Sequence, residues 1–249
     1  MSRKCTHMNF NATFNPVVGL TQKFINNSQH ILNNDFTAPN ILPVPDVVQD
    51  DVPRVIVNSN GGHSQVILSK INCSIVTNFD DNFSGNLEEC IRYFGERVIT
   101  INKVMNALES DDSLKLKFMG ITTELIFDKE NAVKLLLENV IKVQVDDLCD
   151  IDLQITRIVE ERYYINIRIS NTRLFSQNIN PLDCGFLKNE YHDAIRVTID
   201  VNNRYAFSKG LTEIQACSLD EIKKIRELSE DTISSLSAIF GKGVFSEEC

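Results

Sequence analysis

The sequence lacks the features that place a chain in a membrane or outside the cell. No run approaches the about 18 apolar residues that a membrane-spanning helix needs. The first residues, MSRKCTHMNFNATF, contain no apolar core of a signal peptide. The seven cysteines form no C-x-x-C motif and are scattered over the chain, at positions 5, 73, 90, 149, 184, 217 and 249. An odd, scattered set is typical of reduced thiols, so we expect a cytoplasmic protein with no membrane contact.

The chain also lacks an excess of basic charge. Its 25 Lys and Arg residues stand against 34 Asp and Glu, which gives a formal net charge of −9. A main partner made of nucleic acid would require a basic surface that neutralises phosphates. The densest basic stretch, Lys223 to Arg226, is flanked by Glu221 and Glu227, a pattern typical of a solvated helix face. We therefore expect a protein partner or a second copy of the chain, as in a homodimer, rather than nucleic acid.

Local catalytic motifs are missing as well. The segment FGKGV resembles a phosphate-binding loop, but Leu236 stands where Walker A needs Gly and Gly243 where it needs Ser or Thr. The four histidines, at positions 7, 30, 63 and 192, have no metal-ligand spacing. We therefore predict no catalytic, cofactor-binding or metal-binding residue and no cofactor. Local motifs do not reveal a site assembled from distant residues, so enzymatic activity stays open.

One acidic stretch, DDLCDIDLQITRIVEE, deserves a separate test. An EF-hand loop that begins at Asp150 would need Gly at its sixth position, where Ile155 stands, and the segment alternates like a strand. Asp146, Asp150 and Asp152 could join distant acids in a two-metal site. A solvated turn is the favoured interpretation, and in that case no metal is bound.

The stretch YHDAIRVTIDV, residues 191–201, combines His192, Arg196 and Asp200 with alternating apolar residues. From Ile195 onward every second residue is apolar and β-branched, which predicts a strand with one buried face. Along such a strand His192 and Asp200 lie roughly 26 Å apart and cannot share a proton. A functional role would require His192, at the end of the strand, to meet a partner from elsewhere in the chain.

The order of the remaining patterns predicts an α+β protein. The first half begins with a polar lead-in in which PVVGLTQKF could be a short strand, followed by a connector bounded by Pro39 and Pro53. RVIVNS and SQVILS flank the turn NGG, which predicts a hairpin. Apolar residues spaced four and three apart from Leu87 to Leu108 predict a long helix over 86–109. This helix could pack on the sheet, which we favour, or form a coiled-coil seam.

The second half repeats this plan. KLKFMGITTELIF, IDLQITRIV and RYYINIRIS predict strands, the last two joined by a turn at Glu160 and Glu161, and KENAVKLLLENV predicts a short helix. Residues 171–190 are expected to form a loop, and the last helix begins with a capping box of Ser218 and Glu221. We predict two antiparallel-sheet-plus-long-helix units packed together, spanning 1–110, with the polar lead-in, and 111–249, without a residue-level repeat.

The order of FNPVVGLTQKF, PRVIVNSN, QVILSKINCSIVTNF, DAIRVTIDV and IFGKG resembles a family of uncharacterised bacterial proteins of about this length, which are sporadically distributed and often lie on mobile islands. The chain departs from that family where KLKFMGITTELIF replaces an aromatic, Gly-rich stretch. A looser similarity is to export chaperones with a four-stranded antiparallel sheet and a long helix, some of which act on toxin–antitoxin pairs. Neither resemblance supplies a catalytic residue.

Two functional hypotheses follow. The leading one is a cytoplasmic protein-binding or assembly component without catalytic activity, which the resemblance implies to be an accessory of a mobile-element, defence or toxin–antitoxin system. The alternative is a hydrolase or nuclease whose carboxylates come from distant segments. An enzyme is expected to bring polar side chains with perturbed pKa values together in a pocket. A binding module is expected to leave an apolar patch or a sheet edge open, although the sequence does not indicate which residues form it.

Overall fold

Antiparallel strands of alternating apolar residues form the frame of the molecule. The computed structural model of the chain describes residues 3–32, 35–45, 47–108, 114–142, 145, 147–175, 191–210, 215–216, 219–240 and 242–245. Within these ranges ten strands join one antiparallel sheet. They are β1 (Arg3–Phe14), β2 (Asn40–Ile41), β3 (Val55–Asn58), β4 (Ser64–Leu68), β5 (Asn72–Asn78), β6 (Lys115–Asp128), β7 (Asp152–Val159), β8 (Tyr163–Phe175), β9 (Tyr191–Asn202) and β10 (Gln215–Ala216).

The strand order reads the same way outward from the centre. The order is β2-β3-β4-β5-β1-β6-β9-β8-β7, and β10 pairs with β6. Strands β1 and β6 pair antiparallel in the middle, with Asn9 opposite Thr122. On one side β1 is followed by β5, β4 and β3, and on the other β6 is followed by β9, β8 and β7. On each side the strand that comes first in the chain, β1 or β6, lies at the centre of the sheet. The last long strand, β5 or β9, lies next to it.

The helices occupy similar places in the two halves of the chain: a short helix follows β1 and β6, and a long helix comes after β5 and after β9. Their bounds are α1 (Leu20–Lys23), α2 (Asp81–Ser84), α3 (Leu87–Ala107), α4 (Ala132–Leu136), α5 (Arg204–Ser208), α6 (Leu219–Phe240) and α7 (Lys242–Phe245). A π-helical turn continues α1 over Phe24–Ser28, and another continues α4 over Leu137–Ile141. None of the described helices combines the length and the apolarity of a membrane span.

The long helices α3 and α6 pack on the sheet, α3 against β1 and β5 and α6 against β6 and β9. Asn86 caps α3, because its side chain accepts a hydrogen bond from the Glu89 amide. Phe94, Val98 and Ile101 of the predicted stripe are fully buried. The long helix and the mixture of helices with antiparallel strands are therefore confirmed, and α3 packs on the sheet as we favoured.

The two faces of the sheet differ in chemistry. The face under the helices is apolar and buried, for example at Phe10, Ile75 and Ile121. The opposite face carries half-exposed polar side chains that bond across strands: His7 with Asn78 at 2.8 Å and Thr13 with Asn72 at 2.9 Å. Alternation with period two produces this division, as predicted for half-buried strands.

Two local predictions are wrong. PVVGLTQKF is not a strand: Gly19 adopts a left-handed conformation (φ 66°), and α1 begins at the next residue. Leu20 and Phe24 are both buried, and their spacing of four fits one side of a helix rather than a strand. The loop expected from residue 171 begins later, because β8 continues to Phe175. The rest of that loop, with Ser218 of the predicted capping box, lies outside the described residues.

Candidate functional site

The two lateral edges of the sheet are built differently. At one edge β2 adds to β3, with Asn40 opposite Ile56 and Ile41 opposite Val55. The segment is fixed by backbone hydrogen bonds from the Leu42 amide to the Arg54 carbonyl (2.9 Å) and from the Thr37 amide to the Asn58 carbonyl (2.8 Å). The proline-bounded connector thus supplies a covering segment for its own half of the sheet.

At the other edge lies β7, an eight-residue strand that contains neither proline nor glycine. The Asn171 amide donates to the Ile151 carbonyl, so this pair marks the hydrogen-bonded positions between β8 and β7. Because such pairs alternate in an antiparallel ladder, Gln154, Thr156 and Ile158 direct their amides and carbonyls away from β8. Within the described parts of the chain no strand pairs with this outer side of β7. An unpaired row of this kind is a template for strand addition.

Side chains on β7 are also less covered than those on β3. Val55 and Val57 of β3 are fully buried. Leu153 and Ile155 of β7 face the same, helix-bearing side of the sheet, yet they are only half-buried. Ile158, on the opposite face, is 52% exposed, and the apolar side chains of Val145 and Leu148 are exposed just before the strand. The edge therefore combines free backbone groups with apolar side chains that a partner could cover; we call residues 152–159 the β7 edge.

The acidic stretch that precedes and enters β7 is neutralised by arginines. Arg173 contacts the Asp150 carboxylate at 3.4 Å, and Arg168 of β8 forms a bidentate ion pair with Asp152. The hydrogen bond from Arg168 lowers the pKa of Asp152. Asp146 lies outside the described residues. Among the residues with described positions, no group of three or more His, Cys, Asp or Glu side chains could hold a metal ion.

The stretch YHDAIRVTIDV forms β9, and its alternation is confirmed. Ile195, Val197 and Ile199 are fully buried on the helix-bearing face. His192 does meet a residue from elsewhere, because its Nε2 lies 3.6 Å from the Asp128 carboxylate, but both side chains are more than half exposed. Asp200 accepts hydrogen bonds from Asn166 and Asn202 on the polar face. The structure therefore does not bring His192 and Asp200 together.

Sequence reasoning missed one polar cluster. The Glu221 carboxylate, 11% exposed, accepts hydrogen bonds from the Arg162 guanidinium (2.9 Å), the Tyr163 hydroxyl (3.2 Å) and the Asn203 amide (2.9 Å). Burial, together with the negative charge of Glu221, raises the pKa of Tyr163 to about 12. The cluster ties the hairpin between β7 and β8 to the beginning of α6. The only sequence signal is Glu221 itself, which the capping-box pattern with Ser218 explains without any such cluster.

The cysteines that the structure describes divide into core and surface groups. Cys5, Cys73 and Cys90 are fully buried and Cys149 is exposed. Cys5 on β1 and Cys90 on α3 form a hydrogen-bonded pair, and this contact together with burial raises the pKa of the Cys5 thiol. A buried thiol with a raised pKa is a poor nucleophile, so Cys5 fits a packing role.

The described part of the chain forms two concave regions. A groove of about 190 Å³ between α3 and α6 has an apolar floor of Phe94, Val98 and Ile222 and a rim that includes Arg226 and Glu227. An open depression of about 440 Å³ lies beside α4, lined by Lys134, Cys149, Arg173 and Asp193 among others. Charges of both signs line each of them.

The comparisons with known proteins give no direct indication of function. No family model matches the chain, and a search of curated proteins found no significant match.

Proposed function

We propose that the chain is a protein-binding or assembly component of the cytoplasm that has no catalytic activity of its own. The observation that supports this proposal is the β7 edge, where backbone donors and acceptors point away from β8 and the apolar side chains of the strand are only half-buried. Strand addition to such an edge is a common way for one protein to bind another.

The proposal includes two units of the same plan, spanning 1–110 and 111–249. It is supported by the strand order, which repeats outward from the β1–β6 pair, and by the long helix that follows the last strand of each side. Gly19 and Asn131, both with positive φ, begin α1 and α4, and a π-helical turn continues each of these helices. The boundary at residues 110 and 111 lies outside the described residues.

The biological setting is a narrower part of the proposal. A role as an accessory of a mobile-element, defence or toxin–antitoxin system rests on the sequence resemblance to sporadically distributed bacterial proteins. The alternative, a hydrolase or nuclease with distant carboxylates, gains no support from Asp150 and Asp152, because each is paired with an arginine. Genes that neighbour this one in its native host would name the first partners to test.

Binding of a purified partner tests the proposed function. The immobilised full chain is exposed to a lysate of the native host, and each retained protein is then purified and titrated against the chain by calorimetry. We expect at least one partner with a Kd of about 10 μM or tighter, which corresponds to roughly −7 kcal/mol. An unrelated protein of similar size and net charge is the control. If no purified candidate binds the chain better than it binds the control, the proposal is wrong.

A further inference from the structure

We propose that the β7 edge binds an extended segment of a partner polypeptide, which runs antiparallel to β7 as β2 runs along β3. This inference rests on the proposed function and names its site and the chemistry of the segment. The chain itself provides the template, because one edge of its sheet already holds such a segment.

The two edges can be aligned residue by residue through the observed pairings. Asn78 ends β5 and Asn202 ends β9. We traced the paired residues from Asn78 through β4 to β3, and from Asn202 through β8 to β7. In this alignment Val55 corresponds to Leu153, Ile56 to Gln154 and Ser59 to Arg157. In both strands the same alternate residues direct their backbone amides and carbonyls toward the outer side of the edge. Ile56 directs them toward β2, and Gln154 is the corresponding residue of β7.

The covered edge shows what the segment does for the sheet. Backbone bonds from the Leu42 and Thr37 amides satisfy the carbonyls of Arg54 and Asn58. With β2 in place, Val55 and Val57 are fully buried. Leu153, which corresponds to Val55, and its neighbour on the same face, Ile155, remain half-buried. A segment on β7 would remove their remaining apolar surface from water, the main driving force for such an association.

Side chains on β7 define the chemistry of the segment. Ile41 lies opposite Val55, so an apolar residue is expected opposite Leu153. Phe36 lies opposite Ser59, which is small and buried. At the corresponding position β7 carries Arg157, an exposed cation that no ion pair of the described residues neutralises. The segment should therefore place an acidic residue opposite Arg157 and an apolar residue farther along on the same face.

A peptide copied from the covered edge is the probe. The labelled peptide of residues 35–43, DFTAPNILP, is made with Phe36→Glu and titrated against the full chain by fluorescence anisotropy. We expect saturable binding that Arg157→Glu in the protein weakens about fivefold, the effect of losing a partly exposed ion pair. A peptide with Phe36→Lys should instead bind the Arg157→Glu protein more tightly than the wild-type protein. A charge swap of this kind separates recognition from folding, because both protein forms are tested with both peptides.

A proline on the outer side of the strand tests the backbone contribution. The Gln154 amide points away from β8, so Gln154→Pro removes an outward donor without removing a bond between β7 and β8. We expect this variant to bind the peptide at least about tenfold more weakly, since strand addition depends on the backbone ladder, and Gln154→Ala to bind within about twofold of wild type. A thermal melt compares the folding of the two variants.

Three results would overturn the inference. The first is the absence of saturable peptide binding, and the second is binding that neither Gln154→Pro nor Arg157→Glu weakens. The third is a wild-type dimer that Gln154→Pro converts to a monomer, because the occupant would then be a second copy of the chain. A captured partner that binds Gln154→Pro as tightly as wild type would leave the proposed function standing and remove only the site.

Discussion

Tyr163 shows how a single residue reports on the polar cluster at the beginning of α6. Its hydroxyl donates to Glu221, and its pKa is raised from 10.0 to about 12 because the folded state favours the neutral phenol. The stabilisation is therefore complete below about pH 10 and is lost as the pH rises through about 12, a loss on the order of 2–3 kcal/mol.

Comparison of wild type with Tyr163→Phe checks this expectation. At neutral pH the variant should be less stable by about 1.5–3 kcal/mol, the contribution of one hydrogen bond to a charged acceptor. Above pH 12 the difference should disappear or reverse, because the variant has no tyrosinate to bury. Urea melts at both pH values measure it. An equal difference at both pH values would show that Tyr163 titrates normally.

Strand β9 separates structural residues from dispensable ones. Val197→Asp should unfold or aggregate the protein, because it places an unpaired carboxylate in a fully buried site. His192→Ala should change the free energy of unfolding by less than about 0.5 kcal/mol, since His192 is more than half exposed. Asp200→Asn should cost about 1 kcal/mol, because Asp200 accepts hydrogen bonds from neighbouring amides.

Denaturant melts and a binding assay with a reconstituted partner check these three variants together. We expect His192→Ala and Asp200→Asn to leave binding within a few-fold of wild type. If His192→Ala abolished an activity while its melt stayed like that of wild type, β9 would carry function, and His192 with Asp128 would be the place to look for it.

At the scale of single residues, the periodicity of the sequence predicts which side chains are buried, but it does not predict which distant residues form hydrogen bonds with each other. The alternation of Ile195, Val197 and Ile199 predicted which side of β9 is buried, because a strand has a fixed period of two. The cluster around Glu221 could not be predicted, since its donors come from residues 162, 163 and 203 and meet only after the sheet has formed.

Helix α3 is the element whose packing is tested most simply. Phe94 is fully buried where α3 lies on the sheet, so Phe94→Ala should destabilise the protein by about 3–5 kcal/mol. Glu96, about half exposed on the outer side of the same helix, is the matched control, and Glu96→Ala should change stability by less than about 0.5 kcal/mol. A loss below about 1 kcal/mol for Phe94→Ala would contradict the core position of the stripe.

Among the elements, the sequence predicted the long helices better than the start of the chain. The 4-3 spacing from Leu87 to Leu108 extends over many turns and leaves no alternative period. In PVVGLTQKF the apolar run is short and fits either period, and the left-handed Gly19 that begins α1 is a backbone choice that composition does not fix. Short apolar runs are resolved only by the packing that surrounds them.

At the scale of the whole molecule, the pairing of β1 with β6 joins the two halves of the chain into one sheet. This pairing brings residues such as Thr6 and Glu124, 118 positions apart, into a hydrogen bond. The sequence predicted most of the strands but not their order, because register between distant strands depends on packing that local patterns do not encode. The difference between the covered and the open edge therefore became visible only in the structure.

The central claim is that the β7 edge is open in the free protein, and amide hydrogen exchange of the full chain tests it most directly. Ile56 and Gln154 hold corresponding positions on the two edge strands, and among the residues that the structure describes only Ile56 has a pairing segment opposite it. We predict slow exchange for the Ile56 amide and fast exchange for the Gln154 and Thr156 amides, with protection appearing on β7 when a partner binds. Equally slow exchange at Ile56 and Gln154 in the free protein would contradict the account, because the β7 edge would then already be covered.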